Sequence, residues 1–195
     1  MAMRLSILDS GHAFGTKILF AIIRAMSRQP TPEALKLIMY RPDFFGAPMK
    51  AVTHEAMRGR SAWSVGDREL MAALVSKANA CDYCIRAHTA VAAQALHDEA
   101  RVAAALSNPE TAPIEESLRA TLRMLGKLTR EHAVGADDMR AVLAAGASRA
   151  QIEDALAVCF AFNVMNRLAD AFAFSVGAPE AFAAGAKFLL ARGYR

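Results

Sequence analysis

Apolar residues recur at intervals of three and four along almost the whole chain, and alternating β-branched runs are missing. That pattern predicts an all-α protein. The early run Ile18 to Ile23, bracketed by Lys17 and Arg24, predicts a helix packed in a core or an interface. Thr31, Pro32 and Glu33 read as N-cap, first-turn proline and early acid of a helix reaching Tyr40. Arg41-Pro42-Asp43 interrupts it and opens another helix to about Met57, followed by a connector from Gly59 to Gly66. Asp67 is expected to cap a helix whose Leu70, Ala73, Leu74 and Ala78 share one face. Asn79-Ala80 breaks it, and the next helix runs from about Cys81 to Leu96. Beyond the loop Asn108 to Pro113, Leu118, Leu122, Leu125 and Leu128 form one stripe of an amphipathic helix. Asp137 and Ser148 are expected to cap two more, the second running from Arg149 to Val176, with Pro179 opening the last. The division expected is an N-terminal helical extension, residues 1–40, and a helical domain, residues 41–195.

Composition narrows the class. The chain has 195 residues, 54% of them apolar and 22% charged, which is material for a core and not for a disordered chain. The net charge of +4 is scattered, without basic runs interleaved with aromatics, so no nucleic-acid partner is expected. Residues 18–23 fall far short of a bilayer span, and no small-residue cleavage site follows. No membrane partner is expected and the default location is cytoplasmic. Three cysteines cannot build a secreted disulfide framework, which leaves one unpaired.

The chemistry lies between Glu69 and His88. On a helix starting near Cys81, residues Cys81, Cys84 and His88 stand at i, i+3 and i+7, on one face. The first turn of a helix offers free N–H groups and the positive end of the dipole, which favour a thiolate there. Two intervening residues let the cysteines close a disulfide without moving the fold. Glu69, on the preceding helix, folds back over the cysteine face if the turn at Asn79-Ala80 is tight. Such a set can run a peroxidase cycle, in which one thiolate becomes a sulfenic acid, the second thiol condenses with it, and an external dithiol restores both. His88 would serve as the base, with Glu69 holding the imidazole or accepting protons. Cys-x2-Cys-x3-His with Glu69 also supplies four zinc ligands in principle. A metal-binding or redox-sensing helical oligomer acting as an interaction protein is therefore the alternative.

Arg68-Glu69, the run from Val75 through Cys81-Asp82-Tyr83-Cys84, and Ala87-His88-Thr89 together resemble the core of AhpD-like alkylhydroperoxidases in the carboxymuconolactone decarboxylase superfamily. The resemblance extends through Lys127-Leu128-Thr129, Ile152 to Ala155 and Asn166 to Asp170, covering about residues 41 to 180. It implies an AhpD-like helical bundle that assembles into trimers or hexamers. It further implies Cys84 as the peroxide-attacking thiol, Cys81 as its resolving partner, and His88 with Glu69 as a proton relay. The best-characterised peroxidase branch carries a histidine between the cysteines where this chain has Tyr83, a poor base near neutral pH that is left as a site-lining residue. The expected activity is reduction of hydrogen peroxide or small organic hydroperoxides, without cofactor or metal, recycled by a dithiol protein or a lipoyl-type donor.

Elsewhere, Cys159 in an apolar run reads as a buried inert thiol. Asn163, Asn166, Arg167 and Asp170 form a polar stripe expected to make inter-helix hydrogen bonds or an intersubunit ion pair. His132 is expected near a helix C-terminus, and His12, His54 and His97 as surface or packing residues. No phosphate loop, haem attachment site or flavin fingerprint is present.

Overall fold

A computed structural model describes residues 3–194. Its regular elements are α1 (Ile7–Ser10), α2 (Phe14–Ser27), α3 (Glu33–Tyr40), a π-helical turn (Pro42–Gly46), α4 (Ala47–Arg58) and α5 (Val65–Ala78), then α6 (Asp82–Leu96) and α7 (Glu99–Ser107). The chain continues through α8 (Glu116–Glu131), α9 (Ala136–Ala144), α10 (Arg149–Ala171) and α11 (Pro179–Arg192). No strand occurs among the described residues, and the all-α expectation holds. No helix among them is long and apolar enough to cross a membrane.

The hub is α5. Its run from Arg68 to Ser76 is continuously buried, as a helix surrounded by partners must be. Helices α6, α8 and α10 pack around it, α4 lies against α10, and α11 lies against α6. The predicted stripe of α8 supplies Leu118, Leu122 and Leu125 to this core, with Leu128 half-buried at its margin.

Several helix ends fall elsewhere than the sequence suggested, each for a local reason. Ser64, not Asp67, is the N-cap of α5; Asp67 is the return partner of the same capping box, its carboxylate accepting from the Ser64 N–H at 3.1 Å. Likewise Gly135 precedes α9, and Asp138 rather than Asp137 bonds back to it at 2.7 Å. The Ser148 cap of α10 is as expected. That helix stops at Ala171, short of Val176, because Ala173 turns left-handed with φ 54°. Pro32 stands at the N-cap of α3, and the Thr31 hydroxyl is buried without a partner instead of capping. The turn Pro42–Gly46 tucks under α3 so closely that a Cβ on Gly46 would lie 2.0 Å from the Ile38 carbonyl oxygen.

The early apolar run does form a helix, α2, but it is barely embedded. Phe20 is buried, whereas Phe14, Ile18, Leu19, Ile22 and Met26 are exposed. Core packing, one of the two roles expected for it, is limited to that one side chain and half-buried neighbours. Helices α1 and α3 are tied together by an ion pair from Lys36 to Asp9 at 2.6 Å. His12 packs edge-on to Phe20 and bonds through Nε2 to the Lys36 carbonyl at 2.8 Å. Met3, Leu8 and Leu37 form with Cys81, Cys84 and Phe174 a second apolar cluster beside the main core. The N-terminal segment is thus folded over the cysteine pair.

Candidate functional site

The turn between α5 and α6 builds the site. Asn79 ends α5, Ala80 adopts a left-handed conformation at φ 55°, and the Cys81 N–H returns to the Ser76 carbonyl at 3.0 Å. Cys81 is therefore the N-cap of α6 with extended backbone, not a first-turn residue, and Cys84 stands three positions on, inside the first turn. Both thiols are free, with Cys81 fully shielded and Cys84 5% exposed.

The two sulfurs have opposite electrostatics. The Cys81 thiol is pushed up, first by donating toward Cys84 and then by burial. Cys84 is pulled down, first by that same interaction and, against its own burial, by the charge of His88 and the amide of Asn166. Asp170, one turn beyond Asn166, opposes ionisation of both. The helix start does favour a Cys81 thiolate through the Cys84 N–H, but the bond to the Cys84 sulfur and burial outweigh it.

His88 lies one turn beyond Cys84, buried, with its ring edge against Phe162 at 4.2 Å. Its Nδ1 meets Glu69 Oε2 at 2.8 Å, so the carboxylate does fold back onto the cysteine face. Glu69 is fully buried and takes two further donors, Arg58 Nη2 at 2.7 Å and the Tyr194 hydroxyl at 3.0 Å. Burial works against its ionisation, but the bond and charge of His88, followed by those of Arg58, hold its pKa below the usual carboxylate range. Glu69 is thus a standing anion near neutral pH. An ionised partner requires the proton on Nδ1, which leaves Nε2 as the basic nitrogen of neutral His88.

Arg58 and Tyr194 escaped the sequence reading. Arg58 ends α4 and stacks under the Tyr194 ring at 5.0 Å. Tyr194 follows α11, with its N–H on His54 Nδ1 at 3.3 Å and its hydroxyl pKa raised by burial and by Glu69. Neither stands at a telling spacing from the Cys-x2-Cys pair; tertiary folding alone brings them in.

Tyr83 turns away from the relay into an aromatic nest, edge-on to Phe174 at 5.3 Å and Phe182 at 5.6 Å. Its phenol reaches the Ala34 backbone, and burial pushes its pKa up. From α10, Asn166 Nδ2 donates to Ser76 Oγ at 3.0 Å, and Asn166 Oδ1 accepts from Asn79 Nδ2 at 3.0 Å. Asn79 also reaches Asn163 Oδ1 at 3.1 Å. Asn163 and Asn166 of the polar stripe thus form an inter-helix network that pins the α5–α6 turn. Cys159 is buried, which raises its pKa, and takes a bond from Asn163 Nδ2 at 3.2 Å. His132 caps the C-terminus of α8. No group of three or more His, Cys, Asp or Glu among the described residues is arranged to hold a metal ion.

A family model described as the carboxymuconolactone decarboxylase family matches residues 42–125, which include α5, the turn and all of α6. An uncharacterised peroxidase-related protein from Silicibacter sp. TM1040 superimposes with a TM-score of 0.78 at 26% identity, over 92% of this chain and 94% of that one. Residues 42–125 thus match the carboxymuconolactone decarboxylase family, in keeping with the resemblance read from the sequence. Two more distant structures share the fold. A peroxidase-related protein with an AhpD core from Ralstonia eutropha JMP134 gives a TM-score of 0.78 at 20% identity, covering 95% of this chain and 97% of that one. The debrominase Bmp8 gives 0.68 at 16% identity with the same coverage. No curated protein matches the sequence.

Proposed function

We propose that this AhpD-like chain is a thiol peroxidase, reducing hydrogen peroxide or small organic hydroperoxides through Cys84 and Cys81. What carries the reading is the geometry: two free thiols, Cys81 at the N-cap of α6 and Cys84 in its first turn, with His88 one turn on and bonded to Glu69 at 2.8 Å. The Cys84 thiolate attacks one peroxide oxygen, the O–O bond breaks, and Cys84 becomes a sulfenic acid. The departing alkoxide or hydroxide takes from His88 Nε2 the proton that the imidazole accepted when the Cys84 thiol ionised, with Glu69 holding Nδ1–H throughout. Cys81 then gives its proton back to the relay and attacks the Cys84 sulfur, releasing water and closing a disulfide. Two electrons from a dithiol protein or lipoyl-type donor reopen the pair by exchange. A cytoplasmic homo-oligomer, trimeric or hexameric, belongs to the same proposal.

The test is a thiol count. One equivalent of hydrogen peroxide should consume two thiols per chain, joining Cys81 to Cys84 in peptide maps and leaving Cys159 free. Consumption of none, or of Cys159 first, would overturn the assignment.

Asn166 has a measurable place in this scheme. Its amide is oriented from both ends, by Asn79 and Ser76, with Cys84 beside it. Asn166→Leu keeps the shape and removes the donor, so the pH midpoint for alkylation of Cys84 should rise by about one unit, as for loss of one hydrogen bond to a charged group. Asn163→Ala, in the same network but bonded to Cys159, should leave the midpoint in place.

A further inference from the structure

Both reacting sulfurs are roofed. Cys81 is wholly inaccessible and Cys84 nearly so, packed beneath Met3 and Leu8 from the N-terminus, Leu37 from α3, and Phe174 from the segment after α10. Tyr83 closes one side through its contacts with Phe174 and Phe182. Polar bonds fasten the roof to the body. The Glu33 carboxylate accepts from the Ser175 N–H at 2.6 Å and from its hydroxyl at 2.7 Å. The Arg4 N–H donates to the Phe172 carbonyl at 2.9 Å.

The two halves of the proposed cycle place different demands on this roof. Hydrogen peroxide is little larger than water and reaches a shielded sulfur through small fluctuations of the packing. Thiol–disulfide exchange instead needs a donor sulfur to approach one sulfur of the pair directly. A donor thiolate bonds to that sulfur, the Cys81–Cys84 bond breaks, and the freed cysteine leaves as a thiolate. The donor's second thiol then resolves the mixed disulfide, so two electrons pass and the donor ends as a disulfide. A dithiol carried on the surface of a folded protein has no path to a sulfur under Leu37 and Phe174 while the roof is shut.

We propose that the N-terminal segment, residues 3–40, determines which reductants reach the Cys81–Cys84 disulfide, with the Glu33 clamp on Ser175 holding it closed against macromolecular dithiols. The inference rests on the dithiol redox reading but concerns only access to the disulfide. Small dithiols are admitted by the closed form, and protein dithiols react in proportion to the fraction of chains in which the clamp is open.

The experiment uses the full chain oxidised with diamide, so that no peroxide step is involved. Its reduction by dithiothreitol and by reduced thioredoxin is followed by mass. In the wild type the thioredoxin rate, per thiol, should trail that of dithiothreitol. In Glu33→Ala the thioredoxin-to-dithiothreitol ratio should rise about fivefold or more, the effect of losing hydrogen bonds to a charged group. Ser175→Ala, which removes only the hydroxyl bond, should give a smaller rise and serves if Glu33→Ala does not fold. An unchanged ratio in the variants, equal wild-type rates, or failure of diamide to join Cys81 to Cys84 would overturn the proposal. Failure of the peroxidase reading looks different: peroxide spares the thiols while the reduction ratios still shift.

Discussion

Cys84→Ser should abolish peroxide consumption, lowering the rate constant by at least about a thousandfold, whereas Cys81→Ser should stop after one turnover with a sulfenic acid that dimedone traps. The contrast follows from the pair's geometry. Cys84 stands in the first turn of α6 with His88 one turn on and the Asn166 amide alongside, and each of these lowers the cost of its negative charge. A serine there keeps the shape but stays protonated, because a few hydrogen bonds cannot bring an alcohol within reach of neutral pH. Cys81 at the N-cap carries the opposite bias, so it is suited to wait as a thiol until Cys84 has been oxidised. Its loss removes the condensation step and leaves the first step intact. Single-turnover peroxide loss with mass detection of the dimedone adduct separates the variants. Equal turnover by wild type and Cys84→Ser would assign the chemistry to another group.

The legibility of this molecule in its sequence follows the range of the interactions. Helices α5, α6, α8 and α10 were readable because burial imposes a period on residues a few positions apart. The shared face of Cys81, Cys84 and His88 is of the same kind, fixed by α6 alone. The fold-back of Glu69 needed one turn to be tight, and Asn79-Ala80 signalled it. Helix ends were harder, since a capping box spreads its signal over two residues, and Asp67 reads as the start although Ser64 is the cap. The left-handed turn at Ala173 has no glycine to announce it. Arg58 and Tyr194 were beyond reach, lying 11 and 125 positions from the carboxylate they bond. The same holds for the roof, because nothing local in Glu33 or Ser175 says that they meet across 142 positions.

That buried carboxylate sets the second large effect. Glu69→Gln should cost about 3–5 kcal/mol of stability at pH 7, because it leaves the Arg58 guanidinium in the interior without its counter-ion. The cost should shrink in acid. Glu69 has a lower pKa folded than unfolded, so its contribution is fully present above the unfolded value of about 4.3 and fades as pH falls through the folded one. Urea unfolding curves of wild type and variant, taken from pH 7 downward, should therefore converge. Redox chemistry should move in step, since the substitution takes away the anion bonded to His88, whose charge favours the Cys84 thiolate. Alkylation of Cys84 in Glu69→Gln should accelerate only at higher pH than in the wild type. Parallel unfolding curves together with an unmoved alkylation profile would show that Arg58, Glu69 and His88 are neither a stabilising triad nor a relay. A stability loss alone would leave the triad as scaffold and pass proton transfer to solvent.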